Sequence, residues 1–118
     1  MKKCFYLLAG AALLLVACNP RVASSLVTAY APLDFREQVI VLGLNETVPQ
    51  DAEYLGEVKV GDTGFTTNCS YEKVLEEAML EARKAGGNVL KLTRHRLPSA
   101  LGSTCHRISA NIYKTKNQ

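Results

Sequence analysis

The chain has 118 residues, 47% of them hydrophobic and 21% charged, with a formal net charge of +3. That length holds one domain and no more. Lys2 and Lys3 stand at the N-terminus, and without them the charge falls from +3 to +1, which removes the basic bias expected of a nucleic-acid-binding chain.

Residues 1–17 read as an export leader: Lys2 and Lys3 are followed by an uncharged stretch from Phe5 to Ala17. Those 13 residues are too few for a membrane-spanning helix, which takes roughly 20. Leu15-Val16-Ala17-Cys18 resembles the lipobox of bacterial lipoproteins, which implies that Cys18 becomes a lipidated first residue. The alternative is an ordinary secretory signal cut near Ala17, with Cys18 a plain cysteine. Removing 17 of 118 residues leaves 101, from Cys18 to Gln118. Their charges are unevenly spread: all eleven carboxylates lie between Asp34 and Glu81, and from Arg83 onward there are eight Lys or Arg and no acid. This suits a mildly basic patch for lipid head groups or an acidic partner, or a simply solvated face.

With Cys4 in the leader and Cys18 taken by lipid, Cys69 and Cys105 remain. In an oxidising compartment a disulfide is expected. It would close a loop of about 37 residues, worth about 3–4 kcal/mol in the chain-entropy account. The competing use is a metal site from Cys69, Cys105 and His106, with His95 as a further candidate ligand. Neither a C-x-x-C pair nor H-x(3–5)-H spacing supports it, so no metal and no cofactor are expected.

Residues 18–37, with Pro20, Pro32 and Ala23-Ser24-Ser25, show no sustained period and are read as lipidated cysteine and tether. Val22, Leu26, Val27 and Tyr30 are apolar enough for part of that stretch to pack on the domain. The domain is assigned to 38–118. Gln38–Leu44 is a β-branched run without charge, which suits a strand buried on both faces. Tyr54–Val60 alternates, with Tyr54, Gly56, Val58 and Val60 on one side and Glu57 and Lys59 on the other. Gly61-Asp62-Thr63-Gly64 ends it as a turn. After Cys69 the period changes to 3.6: Ser70 caps a helix, and Tyr71, Val74, Leu75, Ala78, Ala82 and Ala85 form its buried stripe. Lys73 with Glu77 and Glu81 with Lys84 mark the wet side, and Gly86-Gly87-Asn88 is the stop. Two more strands follow. Asn88–Leu97 places Leu90 and Leu92 opposite Lys91, Thr93 and His95, and Thr104–Lys114 turns Ile108, Ala110 and Ile112 inward. The expected fold is α+β, a small β-β-α-β-β domain with one helix on one face of an antiparallel-rich sheet and one disulfide. The parity of Cys105 is opposite to that of Ile108, so it either faces away from the core or precedes a bulge.

The lipobox, the spacer, Leu55-Gly56-Glu57-Val58, a cysteine just before a helix, Ala82-Arg83 leading to Gly87-Asn88-Val89-Leu90, and a second cysteine in a late strand together resemble the Rcs outer-membrane stress-sensor lipoproteins (RcsF-like) over residues 54–113. Gly61-Asp62-Thr63-Gly64-Phe65, Cys69-x-Tyr71 and Ser103–Ile108 are similar to a group of small lipoproteins of Bacteroides-type bacteria. The stress-sensor family carries four domain cysteines and two disulfides, whereas this chain has two such cysteines. The resemblance implies an outer-membrane protein. Asn19 is not the aspartate that retains lipoproteins in the inner membrane of enteric bacteria, and without an acidic run after Cys18 the periplasmic face is expected.

No catalytic set is recognised. Cys-His chemistry needs a reduced thiol, and Ser99 and Ser103 lack a nucleophile elbow. The expected role is a lipid-anchored, non-catalytic binding or envelope-stress sensor module, held to the membrane through Cys18, with outer-membrane or periplasmic proteins as candidate partners and no nucleic acid. Its candidate contact surface is Asp62, Thr63, Phe65, Arg94, His95, Arg96, His106 and Arg107, on two loops stapled by Cys69 and Cys105 and therefore a candidate redox-sensitive surface. The alternatives are a small-ligand or metal carrier using Cys105, His106 and His95, and a purely structural envelope protein.

Overall fold

A computed structural model describes residues 20–62, 69–99 and 103–116. The elements in chain order are β1 (Arg21–Leu26), β2 (Ile40–Leu42), β3 (Glu53–Gly61), α1 (Tyr71–Lys84), β4 (Val89–Arg96) and β5 (Arg107–Lys114). The fold is α+β: one five-stranded sheet in the order β1-β3-β5-β4-β2, with the single described helix on one face and one disulfide. Three of the strand pairings are antiparallel, and the parallel one joins β2 to β4.

The helix follows its sequence signals closely. The hydroxyl of Ser70 accepts from the backbone N–H of Lys73 at 3.3 Å, satisfying one of the donors that a helix start leaves unpaired. Val74, Ala78 and Ala82 are fully buried, so their small side chains let the helix lie close against β3 and β5. Lys73–Glu77 at 3.1 Å and Lys84–Glu81 at 3.2 Å lie on the solvent side. Gly86 ends the helix at φ +79°, in the left-handed region. A Cβ there would meet the carbonyl oxygen of Ala31 at 2.6 Å. The core beneath the helix is Leu55, Val58, Val60, Leu90, Leu92, Ile108, Ala110 and Ile112.

The tether reading is corrected over the described residues. Arg21–Leu26 is an edge strand paired along its length with β3, from Arg21 opposite Gly61 to Leu26 opposite Gly56. Beyond it the chain returns along the C-terminal end of α1, where the N–H of Tyr30 donates to Ala85 O at 2.9 Å and that of Leu33 to Arg83 O at 3.0 Å. Arg83 reciprocates, donating to the carbonyls of Glu37 (2.5 Å) and Asp34 (2.7 Å). The orphan carbonyls of the helix end are thus covered by chain that the sequence assigned to a spacer.

The strand expected to be buried on both faces is also different. β2 is a three-residue edge strand whose Ile40 is 47% exposed, and the Lys91 ammonium pins its end by donating to the carbonyls of Gly43 and Leu44. In β3 a bulge between Tyr54 and Gly56 inverts the alternation. Leu55 is buried in consequence, while Tyr54 is 42% exposed and stands edge-on to Tyr113 at 5.7 Å. A second bulge in β4, between Leu92 and Arg94, has larger consequences for surface chemistry.

Candidate functional site

Strict alternation along β4 would set Arg94 and Arg96 on the side of Leu92 and turn His95 away. The bulge at Thr93 reverses this, because the extra residue shifts the pleat by one. His95 pairs with Ile108 and so shares the helix side of the sheet, whereas Arg94 and Arg96 pair with Ser109 and Arg107 on the open side. The candidate contact residues are therefore divided between two faces.

On the helix side, His95 meets Tyr71 and His106. The Tyr71 ring lies 4.8 Å from that of His95 and 5.9 Å from that of His106. The two imidazoles share a hydrogen bond of 3.0 Å between His95 Nε2 and His106 Nδ1. One nitrogen must donate and the other accept, so the pair cannot keep this bond with both facing nitrogens protonated. Burial, and secondarily the neighbouring His106, lowers the pKa of His95 from its ordinary 6.5.

The disulfide lies beside this cluster. Cys69 and Cys105 are bonded, with Cα atoms 5.1 Å apart, and join the residue before the helix cap to the turn before β5. Cys105 is fully buried and Cys69 is 8% exposed, which places the bridge in the core and settles the parity of Cys105: it precedes the strand and points inward. The bridge is thus part of the packing beneath the loops and not of their outer surface. Two further links tie the same segments. The N–H of His106 donates to Cys69 O at 3.2 Å, and the Ser103 hydroxyl donates to Asp62 Oδ2 at 2.6 Å while accepting from Cys105 N at 3.1 Å.

With both sulfurs in a disulfide, Cys105 offers no thiolate to a metal set with His106 and His95. No group of three or more His, Cys, Asp or Glu side chains able to hold a metal ion occurs among the described residues.

On the open side, Arg94, Arg96, Arg107 and Asp62 line a groove of about 410 Å³. Arg21 of β1 and Lys59 of β3 line it too. Both were missed from sequence: Arg21 lay in the supposed tether, and Lys59 read as one charge on a wet face. The one available signal was the alternation of Arg21, Ala23 and Ser25 with Val22, Ser24 and Leu26, too weak in hydrophobic contrast to declare a strand. Thr63 and Phe65, and the proposed lipidation site Cys18, lie outside the described residues. No family model matches this chain, and neither curated proteins nor solved structures compared with it give a match.

Proposed function

We infer that the chain is a lipid-anchored cell-envelope lipoprotein acting as a non-catalytic binding or envelope-stress sensor module, held on the periplasmic face of the outer membrane. The observation that carries this reading is Leu15-Val16-Ala17-Cys18 at the end of a short apolar leader. A buried disulfide supports it, since such bonds persist in oxidising compartments and are rare in the cytosol. No helix among the described residues is long and apolar enough to cross a membrane.

The test is metabolic labelling of the full chain in a bacterial host with an alkyne-bearing palmitate. Wild type is expected to incorporate the label and to fractionate with outer membranes. Cys18→Ser is expected to lose the label. An unlabelled wild-type chain would overturn the anchor, and digestion of the domain by protease added to intact cells would move it to the cell surface.

A further inference from the structure

We propose that the groove on the open face of the sheet is an oxyanion site for a ligand carrying at least two negative charges on phosphate groups. This deepens the binding-module reading and rests on it only for the membrane source of the ligand. Five cations converge there from four adjacent strands: Arg21 on β1, Lys59 on β3, Arg107 on β5, and Arg94 and Arg96 on β4. The pairing register fixes the convergence. Ser109 on β5 stands opposite both Lys59 and Arg94, and Arg107 stands opposite Arg96. The bulge at Thr93 is what brings Arg94 and Arg96 to this side.

The compensating charge is small. Lys59 pairs with Glu57 at 3.5 Å, and Asp62, a carboxylate of the groove lining, accepts from Ser103. No arginine of the groove forms a salt bridge with a carboxylate among the described residues. Arg107 adds a sharper signal. Its Nη2 reaches Leu97 O at 3.5 Å, while its Nε is buried with no hydrogen-bond partner among the described residues. The rest of that guanidinium belongs to a residue that lines the groove and has donor capacity left for an oxyanion.

Shape and chemistry agree on the class. The groove falls within the ~300–1,000 Å³ typical of small-ligand sites. Gly61 and Ala23, which are small, line it along with the long cations. Guanidinium groups bind phosphate oxygens in a two-pronged geometry that lysine cannot match. Two sources offer this chemistry: the head groups of anionic lipids and soluble phosphate esters. The chain favours the first, since Arg21 follows Cys18 by three residues, a span of at most about 10 Å. A lipid on Cys18 would hold the groove at the level of the membrane's phosphates.

The full chain, purified in a neutral detergent, is to be titrated calorimetrically with pyrophosphate, and its unfolding midpoint measured in phosphatidylcholine vesicles with and without phosphatidylglycerol. Saturable pyrophosphate binding that weakens about tenfold or more in R94Q/R96Q, but not in the charge-matched R36Q/K84Q, supports the site. A rise in midpoint with phosphatidylglycerol that R94Q/R96Q abolishes also supports it and assigns the ligand to lipid; pyrophosphate binding without that rise supports it and assigns a soluble ester. Neither response in wild type, or equal responses in wild type and R94Q/R96Q, overturns it. The pyrophosphate arm needs no anchor, so loss of palmitate labelling and loss of the oxyanion site are separate results.

Discussion

His95 and His106 meet on the helix side of the sheet and share a hydrogen bond. The lowered pKa of His95 has burial as its main cause. The sign of its effect on stability follows. The unfolded chain takes up a proton on His95 near its ordinary 6.5, before the folded chain does. Between that value and the lower folded one, the unfolded state binds more protons, so stability is full above the unfolded value and declines as pH falls. Unfolding midpoints measured from about pH 7 down to about pH 5 are expected to fall in wild type and to fall less in His95→Phe, which keeps a ring against Tyr71 without the titration. A His95→Phe slope equal to that of wild type would remove the imidazole pair as its cause.

At the scale of the elements, the edge strand β1 depends on one glycine. A Cβ on Gly56 would stand 2.3 Å from Ser25 O and 2.7 Å from Leu26 Cα, both backbone atoms of β1 that cannot yield without moving the strand. Gly56→Ala is therefore expected to cost about 1–3 kcal/mol and to expose the amides of Arg21–Leu26 to hydrogen exchange while those of β5 stay protected. Uniform protection in the variant would show that β1 adjusts without leaving the sheet. The helix makes a useful contrast. Its cap, its apolar stripe and its glycine stop are local features with a 3.6-residue period, and all were legible in the sequence. β1 was not, because Ala23, Ser24 and Ser25 alternate in direction without alternating in hydrophobicity, and its partners lie 30 to 40 residues away.

For the whole molecule the disulfide is the main covalent constraint in the described fold. It links Cys69 to Cys105 across 36 positions of sequence, and the loop it closes contains the helix and β4. The double variant Cys69→Ala/Cys105→Ala is expected to lose about 3–4 kcal/mol, a large part of the roughly 5–15 kcal/mol typical of a folded domain. Urea unfolding of oxidised wild type against the variant measures it. Because both cysteines are buried, reductant without denaturant is expected to release few thiols to a labelling reagent, and rapid labelling would mean that the bridge opens from the native state.

The sequence by itself determined the α+β class and the helix with its ends, which are written in local periods, and it pointed to Cys69 and Cys105 as the bridge. It also placed arginines and histidines in one stretch, from Arg94 to Arg107, as a candidate surface. Only the tertiary structure divided that stretch between two faces. A bulge is set by the register of β4 on β5, a property of two strands together, and no pattern within β4 announces that Thr93 is the extra residue. The same dependence on a distant partner brought Arg21 out of the presumed spacer and beside Arg94, Arg96 and Arg107, because an edge strand of small polar residues takes its place from the strand it pairs with.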